Sequence, residues 1–157
     1  MALEFSPQAL QKISDIIGRY PQKQSAVVPV LYLAQEEFGE LSPEVIACVA
    51  KVMEMPAARL YGIVTFYTML HMKPVGRNHI QVCRTLPCAL QGAEKILEFL
   101  KNRLGVGLGE TTPDGKITLS TVECLASCGT APVMQINDEY YENLSEDKLE
   151  KILGFLK

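Results

Sequence analysis

The chain has 157 residues, 48% of them hydrophobic, enough to bury a core in one domain or in two small mutually supporting ones without disulfides. A net charge of −3, with six basic and seven acidic residues before about Gly76 and nine and eleven after it, argues against a nucleic-acid surface, which draws affinity from clustered Lys and Arg. Met1 to Pro7 has no basic start followed by an apolar run, and no apolar stretch approaches the roughly 20 residues of a membrane span, so a soluble, cytosolic chain is predicted.

Residues 1 to 75 read as an N-terminal helical bundle. Ser6 and Pro7 supply an N-cap and a first-turn proline, and Leu10, Ile13, Ile16 and Ile17 mark one face until Tyr20 and Pro21 end the helix. A second helix is predicted from about Ala26 to Phe38, with Val27, Leu31, Ala34 and Phe38 inward and Gly39 as terminator. Ser42 and Pro43 repeat the start signal for a third helix carrying Val45, Ile46, Val49 and Val52. Pro56 opens a fourth, through Leu60, Ile63, Val64 and Tyr67. The short connections suit a compact bundle.

Residues 76 to 157 change period. HIQVCRT (79 to 85) alternates as a strand, AEKILEFLKNRLG (93 to 105) is an amphipathic helix closed by Gly105, and KITLSTVE (116 to 123) is a second strand. VMQIN and EYYEN, joined at Asn137 and Asp138, form a hairpin, because Asn and Asp tolerate the left-handed backbone of a tight turn. Ser145 caps a last helix through Leu149, Ile152, Leu153 and Leu156. The fold class is α+β: a helical bundle, then a βαβββα domain built on a four-stranded mixed sheet.

Strand, helix and strand in sequence make a right-handed crossover with parallel strands, whose ends share one edge. Cys83 lies near the end of the first strand, Cys88 in the turn entering the helix, Cys124 at the end of the second strand and Cys128 in the loop after it. Four thiols therefore converge on one rim although 35 residues separate Cys88 from Cys124. In a reducing compartment such thiols are ligands rather than bridges. Spacings of C-x4-C and C-x3-C leave two candidates, a [2Fe-2S] cluster in which each iron takes two thiolates and a structural zinc held by all four cysteines. The electronegative cluster is favoured by donors at the rim: the helix N-terminus after Cys88, Arg84 between the first two ligands, and Gly129, which permits close approach of backbone N–H groups to sulfur.

Other features carry less. Cys48, among Ile46, Val49 and Ala50, reads as a buried small apolar residue. GVGLGE (105 to 110) follows a helix and lacks the G-x-G-x-x-G spacing, so it is a helix stop and loop rather than a dinucleotide site. His71 and His79 invite a Rieske reading, but four cysteines already complete the coordination and both read as surface or packing residues. A thioredoxin-type dithiol wants C-x-x-C, and Arg84 to Pro87 separate the first pair here. The segment SPEVIACVAKVMEMPAARL as a DNA-reading helix pair is opposed by the acidic balance. Phe66 and Tyr67 read as core, with a docking surface as the sharper alternative.

The stretches YGIVTFYTMLHMKPVGRNHIQVCRTLPC, GETTPDGKITL and VECLASCGTAPVMQINDEYYENL resemble the 24 kDa family of NADH:quinone oxidoreductase (respiratory complex I), the thioredoxin-like [2Fe-2S] ferredoxins. The resemblance covers nearly the whole chain. That family usually reads CLGAC where this chain reads CLASC, so Ala126 stands for a Gly and Ser127 for an Ala, and both positions stay small. The resemblance implies a thioredoxin-like domain, one [2Fe-2S] cluster with Cys83 and Cys88 on one iron and Cys124 and Cys128 on the other, and single-electron exchange with a partner. It further implies that FMN and NADH sit on that larger flavin subunit, not on this chain, that other iron-sulfur subunits are reached through it, and that the chain is cytoplasmic and peripheral to the inner membrane within a membrane-bound complex. Related subunits serve NAD-linked hydrogenases and formate dehydrogenases. A zinc-stabilised, non-redox assembly module and a free-standing ferredoxin complete the alternatives.

Overall fold

A computed structural model describes residues 3–156. Met1, Ala2 and Lys157, at the outer ends of the two expected segments, lie outside the described residues. The chain divides into two compact units, Met1–Pro74 and Val75–Lys157.

The first unit contains four helices, α1 (Pro7–Gly18), α2 (Val27–Phe38), α3 (Pro43–Met53) and α4 (Ala57–Phe66). The serine signals work as the sequence predicts: Ser6 Oγ accepts from the Ala9 N–H and Ser42 Oγ from the Val45 N–H, each followed by proline in the first turn. Gly39 ends α2 in the left-handed conformation, with φ of 82°. The second helix runs Val27–Phe38, as expected, and a 3-10 turn at Lys23–Ala26 leads into it. The core gathers Ile13, Val30, Leu31, Leu41, Ile46, Val49, Met53 and Leu60. Burial of each such side chain contributes about 1.5–3 kcal/mol.

Three inward assignments need correction. On α1 the buried positions are Ala9 and Ile13, and Leu10 is exposed. Tyr67 caps α4 instead of continuing it, and Phe66 is 76% exposed, so this pair is not core. The two rings instead meet edge to face with centroids 4.9 Å apart. Cys48 is half-buried and packs against the edge of this core.

The second unit contains β1 (Asn78–Cys83), α5 (Leu86–Leu90), α6 (Ala93–Leu104), β2 (Glu110–Thr111), β3 (Ile117–Val122), β4 (Met134–Ile136), β5 (Glu139–Tyr141) and α7 (Glu146–Phe155). The sheet has five strands in the order β2-β3-β1-β4-β5, one more than the expected four. The extra strand is two residues long and pairs antiparallel with β3 through Glu110 and Leu119, and Thr111 and Thr118. The rest is as expected. β1 and β3 run parallel in the register Ile80 to Leu119 and Cys83 to Val122, while β4 pairs antiparallel with β1 and β5 with β4. Asn137 turns the hairpin with φ of 52°. Gly105 closes α6 in the left-handed region and GVGLGE forms the loop into β2, where the Gly107 N–H donates to Glu110 Oε2 at 2.6 Å.

The sheet core, with Ile80, Val82, Leu119, Val133, Met134, Leu100 and Leu149 fully buried, fixes both ends of the parallel pair. β1 is buried along five of its six residues and is paired on both sides, with β3 and with β4, so Cys83 is held at a defined strand end.

Candidate metal centre

Cys83 is the last residue of β1 and is buried. Two residues later Thr85 takes the N-cap position of α5, and Cys88 lies inside that helix, also buried. The turn expected between strand and helix is thus itself a five-residue helix, and the long helix α6 begins only at Ala93, after Gly92 in the left-handed conformation. Its N-terminus does not follow Cys88 directly, which removes that contribution to the expected donor set.

The loop after β3 carries the other pair. Cys124 and Cys128 are exposed, and Cys128 opens a 3-10 turn, Cys128–Thr130. This loop is tied to the strand below it: Cys83 Sγ lies 3.7 Å from the Glu123 carbonyl oxygen and 3.3 Å from Thr85 Oγ1. The Cys83 N–H donates to the Val133 carbonyl at 3.1 Å and the Arg84 N–H to the Val122 carbonyl at 3.1 Å. The Ala126 N–H donates to Cys124 Sγ at 3.3 Å.

Burial pushes the Cys83 thiol up, but hydrogen bonds from the Thr85 hydroxyl, the Leu125 and Thr85 backbone amides and Cys88 outweigh it and hold the thiol below its ordinary value. Cys88 goes the other way. Burial raises it, the Cys83 hydrogen bond and the charges of Cys83 and Cys128 add to the rise, and the Val133 amide opposes it. The hydrogen-bond partners of Cys83 Sγ are the Thr85 hydroxyl and the Glu123 carbonyl. Cys124 is turned to Ala126. Among the described residues no group of three or more His, Cys, Asp or Glu side chains is arranged around a single ion.

Two expected features differ. Arg84 pairs with Glu123, Nε to Oε1 at 3.2 Å, so the positive charge beside Cys83 is matched by a negative one. A Cβ at Gly129 would meet nothing within 4 Å, so no backbone approach at that position demands glycine. The donors to sulfur come instead from the Thr85 hydroxyl and the Ala126 amide, of which only the small residue at 126 is legible as part of the motif. The two histidines engage other partners: His79, buried, contacts Ser120 Oγ through Nε2 at 2.7 Å, and the His71 N–H donates to Gln35 Oε1 at 2.6 Å.

The donor set fits a group held by thiolates. Two sulfurs are buried on regular structure, two lie on the loop after β3, and a hydroxyl and an amide are already within hydrogen-bond distance of Cys83 and Cys124, which lowers the cost of holding negative sulfur.

A mixed sheet with a parallel central pair, in a unit that carries four of the five cysteines, defines the class, a thioredoxin-like domain. A family model described as thioredoxin-like [2Fe-2S] ferredoxin matches residues 13–157. The E subunit of NADH-quinone oxidoreductase from Rickettsia felis is 48% identical over 152 residues, 95% of this chain and 91% of that one. Its namesake from Rickettsia bellii is 47% identical over 156 residues, 98% and 93% of the two chains. The E 2 subunit of NADH-quinone oxidoreductase from Rhizobium meliloti is 44% identical over 143 residues, 91% and 85%. Among solved structures, an air-oxidized NAD+-reducing [NiFe]-hydrogenase superposes with a TM-score of 0.73 at 16% identity, over 87% of this chain and 24% of that one. That likeness is one of fold, and the chain spans about a quarter of the hydrogenase chain. The chain belongs to the thioredoxin-like [2Fe-2S] ferredoxin family.

Proposed function

We infer that this chain is the electron-transferring E subunit of an NADH-quinone oxidoreductase, the respiratory complex I enzyme, and carries one [2Fe-2S] cluster. The observation that carries the reading is the family match over residues 13–157, together with relatives of that name that align with more than nine-tenths of the chain. The site supports it with four thiols on one unit, two of them buried and two exposed on the loop after β3.

Cys83 and Cys88 would hold one iron, and Cys124 and Cys128 the other. A cluster bound there supplies exchange of one electron at a time with the FMN of a larger, NADH-binding partner. The chain's own residues do the rest. β1 and α5 keep the first two sulfurs away from water, the loop after β3 covers them, and the amides of Leu125, Ala126 and Val133 stabilise negative sulfur without moving. No general acid, base or nucleophile is required here, and FMN and NADH reside on the partner. Among the described residues no helix is long and apolar enough to cross a membrane, which suits a peripheral place in a membrane-bound complex at its cytoplasmic face.

A native pull-down with metal analysis of the bait tests this reading. A flavin subunit accompanied by quinone-reducing membrane subunits, with iron and sulfide on the bait, is the expected result. Hydrogenase or formate dehydrogenase partners would redirect it, and a single colourless zinc would overturn it.

A further inference from the structure

Glu142, just beyond β5, has no part in the electron-transfer reading, yet it is bonded to the ligand loop. Its Oε1 accepts hydrogen bonds from Ser127 Oγ and from Thr130 Oγ1, the latter at 2.9 Å, and the two hydroxyl oxygens lie 2.7 Å apart. Ser127 immediately precedes the 3-10 turn Cys128–Thr130 and Thr130 closes it. One carboxylate oxygen therefore spans the turn that presents Cys128. The backbone is tied at the same place: the Thr130 N–H donates to the Ser127 carbonyl at 3.2 Å and the Asn143 N–H to the Thr130 carbonyl at 2.7 Å. Lys148 Nζ, from α7, donates to the Glu142 carbonyl at 2.5 Å. The bonds from Ser127 and then Thr130 hold the Glu142 carboxyl below the usual carboxylate range, burial opposing them and Lys148 adding to them, so the group is an ionised acceptor at neutral pH.

The need for such a tie follows from where the sulfurs sit. Cys83 and Cys88 are fixed by a strand and a helix. Cys124 and Cys128 are exposed on a loop that includes a non-glycine residue, Ala126, in the left-handed region at φ of 56°. A ligand on such a segment keeps its geometry only if neighbouring bonds hold the segment.

We propose that Glu142 is a positioning residue for the cluster, clamping the turn that bears Cys128 from both sides through Ser127 and Thr130. It touches no ligand itself and acts through the two hydroxyls. This rests on the cluster reading above. Ser127 Oγ gives the second arm of the clamp.

The test compares the full chain, matured with its cluster, as wild type, Glu142→Ala, Glu142→Gln and Thr130→Val. Iron release to a chelator and the paramagnetic resonance spectrum of the reduced protein are measured, with circular dichroism to check folding. Glu142→Ala should release iron about tenfold faster and show an altered line shape, whereas Glu142→Gln, which keeps an acceptor oxygen, should stay within about twofold of wild type. Thr130→Val should fall between them. Unchanged release and line shape in Glu142→Ala, or a glutamine variant no better than alanine, would overturn the clamp; if Glu142→Ala does not fold, Thr130→Val indistinguishable from wild type would do so. A wild-type chain that takes up no iron would instead sink the cluster reading itself.

Discussion

Ala126 adopts a left-handed backbone, with φ of 56°, while its N–H donates to Sγ of Cys124 at 3.3 Å. The loop needs that conformation to turn the amide onto the sulfur. An L-residue with a Cβ is strained there by about 1–2 kcal/mol.

Ala126→Gly should therefore stabilise the second unit by about 0.5–1 kcal/mol, the relief of strain exceeding the extra freedom gained by the unfolded chain. Ala126→Val should destabilise it by more, because a β-branched side chain tolerates this region worst. Denaturant unfolding of the full chain measures both. A glycine variant less stable than wild type would show that the alanine is not strained.

Gly76 makes the opposite case, since its φ is ordinary but space is lacking. A Cβ there would stand 2.8 Å from the Ile117 nitrogen and from the Lys116 carbonyl carbon, and the Gly76 N–H donates to Thr118 Oγ1 at 2.6 Å. These backbone atoms belong to the start of β3 and cannot yield cheaply. Gly76→Ala should cost roughly 1–3 kcal/mol, seen as a lowered unfolding midpoint. A shift below about 0.5 kcal/mol would mean that the approach is looser than described.

These two glycine-type positions mark the limit of what the sequence discloses. Ser6, Ser42 and Ser145 announce helix starts because a capping hydroxyl is a local device, and all three accept the predicted N–H bond. Asn137 announces its turn for the same reason. The four cysteines could be placed on one unit because a strand, helix and strand leave few topologies. By contrast α5 is too short to show a period, and β2 exists only because β3 offers it an edge. The Gly76 contact, the Arg84 pairing with Glu123 and the bonds of Ser127 and Thr130 to Glu142 join residues 12 to 42 positions apart. No local pattern encodes them.

Arg84 and Glu123 are both more than half exposed, so the bridge contributes little stability, about 0.5 kcal/mol or less. Its consequence is electrostatic. Arg84→Gln leaves the Glu123 carboxylate unmatched next to Cys124, which should make electron uptake harder and lower the reduction potential, whereas Glu123→Gln should raise it. A spectroscopic redox titration reads both signs, and shifts in the same direction would contradict this assignment of charge.

Cys48 lies in the helical unit and packs against its core, whereas the other four thiols belong to the second unit. Cys48→Ala should leave iron content and spectrum unchanged and alter stability by about 1 kcal/mol. Cys124→Ser, although on an exposed loop, should distort or remove the centre, because a serine oxygen replaces a soft ligand with a hard one. Iron and sulfide analysis of the two variants side by side distinguishes packing from ligation, and the reverse pattern would reassign both cysteines.

The most direct measurement is a reductive titration of the full chain followed by electron paramagnetic resonance. One thiolate-held diiron centre per chain predicts a single signal that grows on reduction with one-electron dependence and integrates to about one spin per chain. A colourless protein that stays silent throughout the titration, and carries zinc where iron belongs, would contradict the account.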